Sequence, residues 1–348
     1  MLLMLFSRLT VAAILENTWP DSPSTTVPSD TLAWPPAPPP PPTPSPPAPT
    51  APPTPSSADY FRTGVAQLKR GEIASDPAER LTRFQAAREH FQAAAVLAPN
   101  DYLAHALWCQ TLQVLVRELP DSETRAAVAA EAHRLYAVTA KLPDADWRLH
   151  NEWGRFLSLA AERAVSPADR PRLLAEAATR FADALRQATT DTDRALVHIA
   201  RAQHFAARAR LATEPTEKLA ALQNACEAAA AAHAASPVML AAEDDQAWAE
   251  ALLERWRLSN DRALLAEALT RYRQAVAKSP REVPIGIGLA RVLCLAGEPG
   301  AALETLRTLR DLPGFESARE QLEREPDWAP LRERAEFRAL FTGLASAP

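Results

Sequence analysis

From Ala58 onward, apolar residues return at helical intervals, and within that rhythm a finer pattern recurs. A small residue is followed four positions later by a large apolar one, three later by another small one, and five later by a breaker. The copies are Ala87, Phe91, Ala94, Pro99; Ala177, Phe181, Ala184, Thr189; Ala225, Ala229, Ala232, Pro237; and Ala268, Tyr272, Ala275, Pro280. Two looser ones stand at Ala132, Tyr136, Thr139, Pro143 and at Ala302, Leu306, Leu309, Pro313. Steps of four and three keep to one face of a helix. Small residues there let a neighbouring helix approach and the larger one fills the space between layers. Proline then ends the helix, lacking an N–H and clashing with the preceding turn.

Upstream of each such helix runs another amphipathic stretch: residues 60–71, 102–119, 147–163, 194–211, 239–258 and 284–296. Polar turns beginning at Ser75, Pro120, Ser166, Thr213 and Ser259 separate the two. Their Ser, Thr and Asp side chains are candidates to accept the orphan amides of the following first turn. The chain therefore reads as six helix-turn-helix units with one period after another.

This pattern resembles the tetratricopeptide repeat family, whose second helix carries small, aromatic and small residues before a proline. The segment WRLHNEWGRFL is similar to the family's first helix, with Trp153-Gly154 followed by Leu157. The resemblance covers about residues 58–345 and implies an all-α fold: a right-handed superhelical solenoid of about six stacked hairpins, closed by a C-terminal capping helix. Breaker-to-breaker distances of 44, 46, 48, 43 and 33 residues exceed the family's usual period in all but the last unit, so enlarged inter-helix turns are expected. Such periods overlap with HEAT-type helical pairs; the proline position and the small-aromatic-small spacing favour the tetratricopeptide reading. In the tail PDWAPLRERAEFRALF, Trp328, Leu331, Phe337 and Leu340 are placed to cover the last apolar face, as a solenoid end requires.

Composition changes abruptly before Ala58. Residues 1–15 are apolar, but the run is shorter than the ~20 residues that span a bilayer, and Arg8 interrupts it. No basic region precedes it and no small-x-small cleavage site follows. Residues 1–19 thus read either as a signal or anchor, giving membrane association, or as a cytosolic tail or misassigned start; the second reading makes the chain cytoplasmic. Residues 20–57 form a proline-rich linker, with 14 prolines in the 21 residues from Pro35 to Pro55. That core suits polyproline II at ~3.1 Å per residue, a spacer of about 65 Å.

Charge and chemistry narrow the function. The formal net charge of −5 has no basic stripe, which argues against nucleic acid as the partner. Cys109, Cys226 and Cys294 are odd in number, far apart and set in helical stretches, so buried thiols are expected. Gly286-Ile287-Gly288 lacks the third glycine and the strand of a phosphate loop, and no nucleophile elbow, HExxH or paired CxxC is present. No catalytic, cofactor-binding or metal site is expected. Glu243-Asp244-Asp245 opens a helix, where the macrodipole favours negative charge.

If the units stack as the family resemblance implies, the first helices line a concave face that binds a protein or peptide. Carrying the family's inward positions onto this chain points to Gln110 and Gln113 in the second unit, to Arg148, Asn151, Arg155 and Ser158 in the third, and to Gln203 and His204 in the fourth. Arginines make bidentate bonds to carboxylates, so an acidic segment suits Arg148 and Arg155. The expected function is a non-enzymatic scaffold or adaptor. The alternative is an envelope component held off a bilayer by the proline stalk.

Overall fold

The computed structural model describes residues 54–341 apart from residue 165. The apolar segment, most of the proline-rich linker and the last seven residues lie outside that range. Among the described residues the chain is helical and contains no strand.

Twelve long helices pair into six hairpins: α1 (Ser57–Ile73) with α2 (Pro77–Leu97), α3 (Tyr102–Glu118) with α4 (Ser122–Thr139), α5 (Trp147–Glu162) with α6 (Arg170–Gln187), α7 (Asp191–Leu211) with α8 (Pro215–Ala235), α9 (Ala242–Ser259) with α10 (Arg262–Lys278), and α11 (Val283–Leu295) with α12 (Pro299–Leu309). Three short helices, α13 (Arg319–Arg324), α14 (Ala329–Arg332) and α15 (Ala335–Ala339), close the stack.

Every residue at the recurring small-large-small positions is buried, from Ala87, Phe91 and Ala94 in α2 to Ala302, Leu306 and Leu309 in α12. In the first and third hairpins the ring sits over a glycine of the partner helix, whereas Tyr136 and Tyr272 lie against the first helix of the next hairpin. A Cβ added at Gly64 would come within 2.8 Å of Phe91, and one at Gly154 within 2.8 Å of Phe181. Burying each ring contributes about 1.5–3 kcal/mol, and the absence of a side chain beneath it is what allows the approach. Gly286 and Gly288 lie inside α11 against Leu309 and Tyr272, in helix packing and not in a loop.

The sequence places the extra length of the long repeats in their inter-helix turns; the structure puts it in the helices. Helices of 16 to 21 residues make up the first five hairpins. Most turns are short, and the stretch between α5 and α6, with the 3-10 turn Pro167–Asp169, is longer. Alanine, leucine, arginine and glutamate extend a helix at little entropic cost, so nothing stops these helices before the polar turn. Capping also differs from the expectation. Asp76, Asp121 and Asp261 cap α2, α4 and α10, but the turns at Ser166 and Thr213 supply no side-chain cap; Pro171 and Pro215 instead stand in the first turns of α6 and α8, where a missing N–H costs nothing.

Hairpins stack in two rows. Each second helix packs on the next first helix, and α3, α5, α7, α9 and α11 also pack on one another in order. No second helix packs extensively on another second helix. Long side chains cross that wider gap instead: Arg88 of α2 grips Glu131 of α4 through two hydrogen bonds, and His133 of α4 lies 3.8 Å from Glu176 of α6. A stack whose rows touch on one side and splay on the other curves toward the touching side, so the first helices line the inner face. At the far end Trp328, Leu331, Phe337 and Leu340 are buried over α11 and α12, as expected of a closing segment. They sit on several short turns instead of one capping helix.

Candidate partner-binding surface

The inner face is built by the middle turns of α3, α5, α7 and α9. Each helix begins at a defined point: Asp101 accepts from the Leu103 and Ala104 amides, Asp146 from the Arg148 amide, and Thr190 with Asp193 forms a capping box. These caps set the rotation of each helix and so which side chains reach the face.

The eight residues expected on this face divide into two groups. Arg148 and Gln203 are exposed, and Gln110, Gln113 and Arg155 are half-buried. The Arg148 guanidinium rests on Asp146 and lies 4.9 Å above the Trp147 ring, so part of its charge is already engaged. Arg155 approaches Glu152 at 3.8 Å, and Gln113 accepts a 3.2 Å hydrogen bond from the Tyr136 hydroxyl. Asn151, Ser158 and His204, by contrast, lie inside the stack at 6%, 8% and 1% exposure.

The structure joins two of that inner group. Ser158 Oγ donates to the Gly154 carbonyl at 2.9 Å and lies 2.8 Å from His204 Nδ1, which ties α5 to α7. With the hydroxyl hydrogen committed to the carbonyl, Nδ1 carries the ring proton and donates. Nε2 is then a buried acceptor without a partner. Burial first, then the charges of Arg208 and Arg201, push the His204 pKa down to about 4, so the ring stays neutral near pH 7.

Further residues of the first helices take packing roles. His105 Nδ1 lies 2.9 Å from the Asp101 carbonyl, and Cys109 Sγ faces Thr139 Oγ1 at 3.7 Å. All three cysteines are buried and unbridged, and burial pushes the Cys109 thiol up to about 12, which keeps it protonated and inert. Two tryptophans of the first helices are covered by arginines of their hairpin partners: Arg180 lies 4.0 Å over Trp153, and Arg271 3.5 Å over Trp248. Among the described residues no three His, Cys, Asp or Glu side chains cluster as metal ligands would, and no helix is long and apolar enough to cross a membrane.

One feature of the face has no counterpart among the sequence expectations. A cleft of about 140 Å³ opens between α7, α8 and α9, lined by Ala202, Gln203, Ala225, Ala229, Asp244 and Trp248 among others. Its signal is present in the pattern: Ala229 occupies the position that is Phe, Tyr or Leu in the other five units.

The fold and this surface define an all-helical hairpin solenoid of tetratricopeptide-like build. No protein-family model and no curated protein matches the chain. Among solved structures it is similar to a thermophilic TPR protein of Thermus thermophilus, at 18% identity over 68% of this chain and 99% of that one, with a TM-score of 0.44. It is also similar to PilW, a widely conserved type IV pilus biogenesis factor, at 13% identity over 78% and 96% with a TM-score of 0.47. A third similar structure is the TPR2AB domain of yeast Sti1 in its complex with pHSP90, at 19% identity over 76% and 95% with a TM-score of 0.26.

Proposed function

We propose that this chain is a non-enzymatic adaptor that binds an extended protein segment along the row of first helices. The observation that carries this reading is the continuous packing of α3, α5, α7, α9 and α11 against one another, which makes one uninterrupted inner face. Successive helices contribute side chains there, and a segment lying across the row meets one hairpin after another. Gln110, Gln113, Arg148, Arg155 and Gln203 form the polar part of the site. Ser158 and His204 tie α5 to α7 at the angle that presents them, and Asn151 is buried on the same side of the stack as a packing residue. Arginines and amides suit a carboxylate-bearing segment at the α3 to α5 end.

Affinity capture with the full chain as bait, repeated with Arg148→Glu and Gln203→Glu together, tests the proposal. Both residues are exposed, so the fold is expected to survive. Capture of the partner is expected to fall at least 10-fold. Undiminished capture by a folded double variant would remove the inner face from the interaction.

A further inference from the structure

The four hairpins at α1/α2, α3/α4, α5/α6 and α9/α10 each carry an aromatic ring in the C-terminal half of the second helix: Phe91, Tyr136, Phe181 and Tyr272, all nearly inaccessible to solvent. The α7/α8 hairpin has Ala229 there. Gly64 with Phe91, Gly154 with Phe181, and Ala202 with Ala229 are separated equally in sequence and occupy equivalent places in their hairpins. Ala202 and Ala229 both border the cleft of about 140 Å³. The cleft is therefore the seat of a ring that this hairpin does not supply.

Two further observations say what chemistry completes it. Trp248 of α9 lines the cleft, is 4% exposed, and its indole N–H has no acceptor. Trp108, Trp153 and Trp328 also leave an indole N–H unmatched, but none of them borders this cleft. A buried donor without a partner is destabilising, and an acceptor brought to it on binding removes that cost. The charges near the α9 wall leave an acidic excess. Glu243, Asp244 and Asp245 lie near Lys278, which is 2.5 Å from Asp245, while Arg271, 3.5 Å over the Trp248 ring, is paired with Glu267 at 3.9 Å. Asp244 itself borders the cleft, and Arg210 on the opposite rim is neutralised by Glu162 at 2.5 Å. The α9 N-terminus offsets part of the excess negative charge, and the rest favours an incoming cation.

We propose that the α7/α8/α9 cleft receives an aromatic side chain of the partner segment, with a lysine or arginine beside it, and that a carbonyl of the same segment accepts from Trp248. This rests on the adaptor reading and gives it a chemical address. At this end of the face the preference is for a basic, aromatic sequence, opposite in sign to that at α3 and α5.

The test is an NMR titration of the labelled full chain with blocked pentapeptides that carry a central phenylalanine or alanine flanked by lysines or by glutamates. The phenylalanine-lysine peptide is expected to shift the Trp248 indole N–H and the Ala229 methyl, with a Kd at least 10-fold lower than the alanine-lysine or phenylalanine-glutamate peptide. Ala202→Gly with Ala229→Phe rebuilds the glycine-ring pair of the first and third hairpins, so it is expected to fold with an unchanged or higher Tm and to weaken the phenylalanine-lysine peptide at least 10-fold. Should that variant not fold, Trp248→Phe and Asp244→Asn, which remove the donor and the charge, are each expected to weaken it about 3-fold or more. Equal affinity for all peptides, or undiminished binding to the folded variants, would overturn the proposal. So would a shift of these resonances with protein concentration alone, which assigns the cleft to a second copy. A captured partner that is lost with the Arg148 and Gln203 reversals but retained by the filled cleft sinks only the cleft and leaves the adaptor reading in place.

Discussion

His204 shows how a single side chain can couple this fold to pH. It is packed against Phe181 and Phe205, bonded to Ser158, and near Arg201 and Arg208, with no carboxylate among the causes of its shift. Its folded pKa of about 4 lies below the ordinary value of 6.5, so between those limits the unfolded chain binds the extra proton. The stability it contributes is therefore complete above about pH 6.5 and is lost as pH falls toward 4, by up to about 3 kcal/mol. Burial also lowers the pKa of His150 and His198, which adds to the same trend. Urea unfolding from pH 7 to pH 4.5 is expected to show a clearly shallower decline for His204→Gln than for the natural chain; an identical slope would place the pH response elsewhere. Repeat position alone assigns this histidine to the binding face, as one of two histidines on one helix. Nothing in a linear pattern distinguishes a histidine that points between two helices from one that points along the groove, since about 100° of rotation separates neighbouring residues.

Among elements, α5 has a start that depends on one carboxylate. Asp146 caps it through the Arg148 amide at 2.9 Å and also holds the Arg148 side chain, so one carboxylate sets both the helix end and the pose of a proposed binding residue. Asp146→Ala is expected to cost about 1 kcal/mol. Hydrogen exchange at the Arg148 amide is expected to speed up by roughly 5-fold, the equivalent of that cost, while α9 is unaffected. Equal protection in both proteins would show that packing alone holds this helix end. Helix existence is readable from the sequence because proline and aspartate mark the breaks and the apolar period is regular. Helix length is not. The sequence locates the extra residues of the long repeats between helices, but most of them are helix formers, and each helix extends until a proline or a capping residue ends it.

As a whole the molecule behaves as a one-dimensional stack, in which each hairpin is held by its neighbours and by little beyond them. The closing segment is the test of this. Trp328 is fully buried at the end of the stack, and Trp328→Ala is expected to cost about 3–5 kcal/mol. The loss is expected to appear as faster hydrogen exchange in α11 to α15, with α1 and α2 as protected as before. Uniform loosening of all hairpins would instead mean that the stack unfolds as a single unit. Ion pairs such as Arg88 with Glu131 span the splayed row on the outer side; exposed pairs of this kind contribute only tenths of a kcal/mol to about 1 kcal/mol each and set spacing more than stability.

The sequence by itself determined the class of fold, because small, large, small and breaker at fixed steps have one economical solution: a helix that accepts a neighbour on one face and then turns back. It also located the core, since every residue at the small and large steps is buried. What only the tertiary structure decided is which of the polar residues of the first helices are exposed and which are buried between helices, and that the alanine standing in the ring position of the fourth hairpin leaves a cleft beside Trp248. Both depend on how far each helix is rotated and how closely its neighbours approach, and these are properties of packing between hairpins that no single stretch of chain encodes.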